Sequence, residues 1–159
     1  MRTHVYPRIQ RGIMNGQPLI RTMRLEDLDA VMAIEHQIFS EAWTRKSYIY
    51  EIKENRFSLP IVLELEGEII GHAVAWHVFN EFHIATIGIR QENQGKGWGK
   101  FLLKAILGMS DGADYVLLEV RKDNDTAIRM YESFGFIPLR IRRGYYRDGE
   151  DAIVMRKQL

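Results

Sequence analysis

Apolar residues recur along this chain in two rhythms. In residues 25–39, Leu25, Leu28, Val31, Met32, Ile34, Ile38 and Phe39 fall at helical spacing. Residues 44–53 read as a second helix with Thr44 as its cap. Residues 97–107 carry a stripe of Leu102, Leu103, Ile106 and Leu107, and residues 124–134 one of Ala127, Ile128, Tyr131 and Phe134. Between these helices lie β-rich runs at 19–23, 57–65, 68–79, 83–89, 115–121, 136–146 and 152–157. Glu66-Gly67 marks a hairpin turn, and Asp148-Gly149 marks another.

The predicted order is β-α-α-β-β-β-α-β-α-β-β. Interleaved helices and strands imply an α/β protein whose sheet is covered on both faces. Three successive strands ahead of the glycine-rich turn do not fit a doubly wound nucleotide fold. Residues 18–159 form one domain in this reading, and residues 1–17, with Arg2, Arg8 and Arg11 and no acid, an N-terminal extension. The 159 residues are 46% hydrophobic and 27% charged, the composition of a soluble globular domain. Twenty-two basic against 21 acidic side chains leave a net charge of +1, which argues against direct nucleic-acid binding. No apolar run reaches the length of a membrane span, and the expected location is cytoplasmic. There is no cysteine, which excludes disulfides, thiolate metal sites and a cysteine nucleophile. The histidines His36, His72, His77 and His83 lack metal-ligand spacing and read as structural or surface residues, so no metal is expected.

The densest chemical signal runs from Ile87-Gly88-Ile89 through Gln94-Gly95-Lys96-Gly97-Trp98-Gly99-Lys100. A strand enters alternating glycines and then a helix. Free N–H groups at the helix start, with its dipole, suit a pyrophosphate. The spacing is neither a Walker A loop, because Phe101 follows Lys100, nor a dinucleotide fingerprint, because Gly99 comes one position early. A tight strand-to-helix connection without a ligand is the alternative.

Glu119 is the one carboxylate in the run Tyr115-Val116-Leu117-Leu118-Glu119-Val120-Arg121. Alternation sets it with Leu117, opposite Val116, Leu118 and Val120. Desolvation there raises a carboxyl pKa toward the range of a working base. The alternative is a strand-end Glu paired with Arg121. Tyr131 reads either as a core aromatic or as a phenol that protonates a leaving group. Asn124 is an N-cap whose amide can also face a ligand.

Gln94-x-x-Gly97-x-Gly99, Leu118-Glu119-Val120-Arg121, Asn124-x-x-Ala127-Ile128, Tyr131-Glu132-Ser133-Phe134-Gly135-Phe136, Arg142-Arg143-Gly144-Tyr145-Tyr146 and Asp148-Gly149-Glu150-Asp151-Ala152 together resemble the GCN5-related N-acetyltransferases, nearest those that acetylate protein N-termini. The resemblance implies a single-domain GNAT fold with a mixed, mostly antiparallel sheet. It implies acetyl-coenzyme A as cosubstrate, and a protein N-terminus as substrate, a ribosomal protein beginning with Ala among them. It implies a monomer that works by direct attack of the amine in a ternary complex. Carried over by position, Glu119 is the general base and Tyr131 the general acid. Ile87, Gly88 and Ile89 pair with pantetheine, Gln94, Gly95, Lys96, Gly97, Trp98, Gly99 and Lys100 hold the pyrophosphate, and Asn124 adds a coenzyme contact. Glu41, Trp43, Tyr145 and Tyr146 border the peptide, with Glu41 a second candidate base. Two departures stand out. Arg90-Gln91 replaces an acid or His followed by Pro, and Ala42-Trp43-Thr44 replaces Pro-Trp-Ser. Transfer to lysines or small amines, and coenzyme binding without catalysis, are the competing functions.

Overall fold

The computed structural model describes residues 16–159, so all but the last two residues of the predicted N-terminal extension lie outside it. The predicted elements form in the predicted order: β1 (Leu19–Thr22), α1 (Leu28–Ile38), α2 (Arg45–Lys53), β2 (Ser58–Leu65), β3 (Glu68–Val78), β4 (Glu81–Ile89), α3 (Trp98–Leu107), β5 (Tyr115–Arg121), α4 (Asp125–Ser133), β6 (Ile137–Arg142) and β7 (Ala152–Gln158). The first helix starts later than its apolar stripe suggests. Leu25–Asp27 instead makes a 3-10 turn, because the Asp27 carboxylate turns back to accept from the Arg24 N–H at 2.7 Å and from the Arg21 guanidinium at 2.7 and 2.8 Å. Strand β6 ends at Arg142, short of the predicted Tyr146. There Gly144 takes φ +60° and donates its N–H to Asp151, which starts a broad loop into β7.

The strands form one sheet in the order β1-β2-β3-β4-β5-β7-β6. All neighbours are antiparallel except β4 and β5. Each face has its own core. On one, Leu102, Leu103 and Ile106 of α3 and Tyr131 of α4 pack on Ile61, Leu63, Ala73, Phe82, Ile84, Val116 and Leu118. On the other, Val31 and Met32 of α1 and Tyr48 of α2 pack on Val62 and Val74. Alternation along each strand divides the side chains between the two cores.

One irregularity shapes the functional half. In the β3–β4 ladder, Val74 opposes Thr86 and Ala75 opposes Ile84, so Ala85 is an extra residue. Such a bulge bends its strand and raises its twist. The parallel ladder between β4 and β5 ends at the same point, at Ile84 opposite Leu118. Beyond it the two strands diverge.

Candidate active site

The divergence opens a cleft of about 1310 Å³ between β4, β5, α3, α4, the α1–α2 loop and the β6–β7 loop. Ile87, Gly88 and Ile89 line it from β4, paired with β3 on one side and past the end of the β5 ladder on the other. A row of main-chain polar groups therefore faces the cleft. Gly88 packs closely: a Cβ there would lie 2.5 Å from Ile38 and 3.2 Å from the Phe39 ring, so those side chains at the end of α1 would have to shift.

The glycine turn continues the wall. Gly95, Gly97, Gly99 and Lys100 line the cleft, with φ of +76° at Gly95 and +88° at Gly97, the residue that caps α3. The first helical hydrogen bond is donated by Phe101 to Gly97. The N–H groups of the preceding turn are thus free to bind an anion, and a side chain at Gly97 would project into open space. Gln94 braces the turn, its amide donating to the Ile89 carbonyl at 3.0 Å. Lys96 is exposed and Trp98 packs edge-on against Phe101, so both stand outside the cleft wall. Asn124 caps α4 by accepting from the Ala127 N–H at 3.1 Å, and it lines the cleft as well. The departure at Arg90-Gln91 is accommodated by α1: Gln37 accepts from the Gln91 N–H at 2.9 Å and donates to Glu92 at 2.9 Å.

Glu119 lies on β5 just past the point where the ladder ends, in the cleft wall. Two expectations for it are corrected. Arg121 is not its partner, since that guanidinium holds Asp148 at 2.5 Å and Asp123 at 3.4 Å. Nor is its pKa raised. Burial pushes the carboxyl up, but the His83 imidazole at 2.7 Å and the Arg142 guanidinium at 3.6 Å prevail, and the carboxyl sits below its ordinary value. Glu119 is therefore ionised at neutral pH. Tyr131 is buried, lines the cleft and meets Phe136 edge-on at 5.8 Å. Its hydroxyl has no hydrogen-bond partner among the described residues. Burial raises its pKa, so the phenol keeps its proton.

Two walls meet over the far end. Glu41, in the α1–α2 loop, accepts a hydrogen bond from the Arg147 N–H in the β6–β7 loop. Tyr145 and Tyr146 stand at right angles, 5.1 Å apart, beneath Arg142 and Arg121 respectively. Burial pushes the Tyr146 phenol up to about 12. Trp43 stacks on Trp76 at 6.3 Å, and its N–H is held by Glu35 at 2.9 Å.

Sequence reasoning missed two groups here. His83, read as structural or surface, is the partner of Glu119. Glu35 is clamped in the core by the Tyr48 hydroxyl and by His72 Nε2 at 2.8 Å. Its signal was present: Leu28, Val31, Met32 and Glu35 share one helical stripe, and a carboxylate on an apolar stripe needs partners. Among the described residues, no group of three or more His, Asp or Glu could hold a metal ion, and no helix is long and apolar enough to cross a membrane.

This arrangement of sheet, gap and glycine-capped helix is that of an N-acetyltransferase, and the chain belongs to the acetyltransferase (GNAT) family, whose profile matches residues 28–136. It is 32% identical over 141 residues to the ribosomal protein bS18-alanine N-acetyltransferase of Escherichia coli (strain K12), covering 86% of this chain and 94% of that one. It is 30% identical over 151 residues to an N-alpha-acetyltransferase of Sulfurisphaera tokodaii, covering 86% and 90%. The crystal structure of the Escherichia coli ribosomal-protein-S18-alanine N-acetyltransferase superposes with a TM-score of 0.82 at 31% identity, over 89% of this chain and 94% of that one. Acetyltransferases of this family use acetyl-coenzyme A.

Proposed function

We propose that the chain is an acetyl-coenzyme A-dependent Nα-acetyltransferase acting on protein N-termini, with a ribosomal protein beginning with Ala as its substrate. The observation that carries this reading is the continuity of one cleft. It runs from the free N–H groups opening α3, along the open edge of β4, to Glu119 beneath the Glu41–Arg147 bracket. The N-acetyltransferase relatives that match over most of their length support the substrate class.

The cleft fits the coenzyme. The glycine turn offers donors and open space for a pyrophosphate, Ile87–Ile89 offer main-chain partners for an amide-bearing arm, and Asn124 and Lys100 stand beside them. When bound, the coenzyme supplies an acetyl thioester. The chain does the rest. A main-chain N–H of the 87–89 segment polarises the carbonyl. Ionised Glu119 attracts the incoming ammonium and takes its proton. An α-amine has a pKa near 8, about two to three units below a lysine, so a weak base in the right place suffices. As the nitrogen bonds the acetyl carbon and the carbon–sulfur bond breaks, Tyr131, protonated and lining the cleft, would give its proton to the departing sulfur, and the second proton shed by the nitrogen would restore the phenol. With both reactants held together, proximity contributes much of the rate. Trp43, Tyr145 and Tyr146 flank the entry and contact the first residues of the peptide.

The test is a mass-spectrometric screen of acetyl transfer onto peptides that differ in their first two residues. Peptides beginning with Ala or Ser are expected to react well, and N-terminally blocked peptides containing lysine poorly. Faster reaction of blocked lysine peptides or free polyamines would overturn the N-terminal reading.

A further inference from the structure

His83 and Glu119 come from neighbouring parallel strands, two residues apart in register, since His83 opposes Leu117. Phe82 and Ile84 turn to the α3 core, so alternation sends His83 to the opposite face, where Glu119 also lies. The Nε2···Oε2 distance is 2.7 Å. A carboxylate only accepts, so Nε2 carries the proton and donates it. The pair spans the apex of the gap, where the β4–β5 ladder has just ended.

The two side chains are 21% and 17% exposed, yet only Glu119 belongs to the cleft wall. The imidazole stands behind the carboxylate. Its ring meets the Trp76 ring at 5.4 Å and 76°, and the Trp76 indole N–H is tied to Glu51 of α2 at 2.9 Å. Arg142 of β6 approaches the other carboxylate oxygen at 3.6 Å while lying over Tyr145. The charged groups around His83 are therefore Glu119 from β5, Arg142 from β6 and, through Trp76, Glu51 from α2.

From this geometry we infer that His83 is a positioning residue for acetyl transfer: it holds the Glu119 carboxylate turned into the cleft so that a free lone pair meets the amine. The inference rests on Glu119 being the base. Without the imidazole, the carboxylate loses its one close side-chain donor among the described residues, because Arg142 stays at 3.6 Å. It would then be free to rotate, and burial would no longer be opposed by a neighbouring donor. A protonated Glu119 cannot accept the amine proton. Loss of His83 thus both scatters the base and moves its titration upward.

The experiment measures kcat and both KM values from acid to mildly alkaline pH. It compares the wild type with His83→Ala, His83→Gln, Glu119→Gln and the double variant His83→Ala/Glu119→Gln. His83→Ala is expected to lower kcat about tenfold, less than loss of the base itself. Its coenzyme KM should stay within about twofold, which also reports a folded cleft, and the acid limb of kcat/KM should move to higher pH. His83→Gln keeps an N–H donor and should recover to within about threefold of wild type. The double variant should be no slower than Glu119→Gln alone. Wild-type kcat and an unmoved acid limb in His83→Ala, with Glu119→Gln slow, would overturn the role of His83 and leave the base assignment standing. Wild-type kcat in Glu119→Gln would overturn both.

Discussion

Among the described residues, two carboxylate–imidazole pairs lie on the same face of the sheet. Their geometry is nearly the same: Glu35–His72 at 2.8 Å and Glu119–His83 at 2.7 Å. Their surroundings differ. Glu35 and His72 are 1% and 0% exposed, and Glu35 also accepts from the Tyr48 hydroxyl and the Trp43 N–H. Three of the roughly four lone-pair directions of Glu35 are thus taken inside the fold, although Glu35 also borders the cleft. Glu119 also lines the cleft but is 17% exposed, and its second oxygen has only a distant guanidinium. In the proposed reading, the same pair of groups is a fastening when sealed and a proton acceptor when more open. What distinguishes them is exposure and the number of donors: three close donors hold Glu35 and one close side-chain donor holds Glu119.

The sharpest test of this difference is stability. Glu35→Ala strands His72 and the Tyr48 hydroxyl in the core and is expected to cost about 3–5 kcal/mol in urea or thermal unfolding, the cost of breaking a buried pair. Because Glu35 also holds Trp43, the α1–α2 loop should loosen with it. Glu119→Gln should show the reverse profile. Its stability should stay within about 1 kcal/mol of wild type, because the amide oxygen still accepts from His83. Its kcat should fall about a hundredfold, the lower end of what a general base contributes. Equal stability losses in the two variants would erase the distinction between them.

Acid provides a finer test. Glu119 titrates below its ordinary value in the folded protein, so it adds stability above that value of 4.5 and loses it as pH falls through the lower folded value. Wild type should therefore destabilise more steeply than Glu119→Gln as pH drops below 4.5. Parallel curves would show that His83 and Arg142 do not favour the ionised form. The smallest effect on turnover is expected at Trp76, which touches both regions by stacking on Trp43 and meeting His83 edge-on. Trp76→Phe keeps an aromatic ring and loses the hydrogen bond to Glu51. It should cost about 1–2 kcal/mol in stability and less than about threefold in kcat.

How much of this the sequence revealed follows from the range of each interaction. The α3 cap and the alternation along β5 are local, and the pattern of glycines and of Val116, Leu118 and Val120 disclosed them directly. The face on which Glu119 lies was readable for the same reason. Its partner was not. His83 and Glu119 are 36 residues apart, and their meeting depends on the register of a parallel ladder formed across an intervening helix. The direction of the Glu119 pKa depends in turn on His83 and on Arg142, which comes from a third strand, so burial alone gave the wrong sign. The bulge at Ala85 left no mark that alternation could register, because Ala suits either face. The end of β6 was obscured by Tyr145 and Tyr146, residues with high strand propensity that here serve a loop.

In the proposed reading, the open edge of β4 would give the chain a form of recognition that substitutions at Ile87 and Ile89 cannot detect. The donors and acceptors of residues 87–89 belong to the polypeptide itself, and every amino acid but proline supplies the same pair. Replacing Ile87 or Ile89 alters packing against the core while leaving that row of groups in place. Affinity written in main chain is erased only by changing where the strand runs, for instance by straightening the bend at Ala85 or by forcing a side chain between Gly88 and the end of α1. The identity of residues 87 and 89 could therefore drift widely with the proposed ligand contact intact, while the path of the backbone could not.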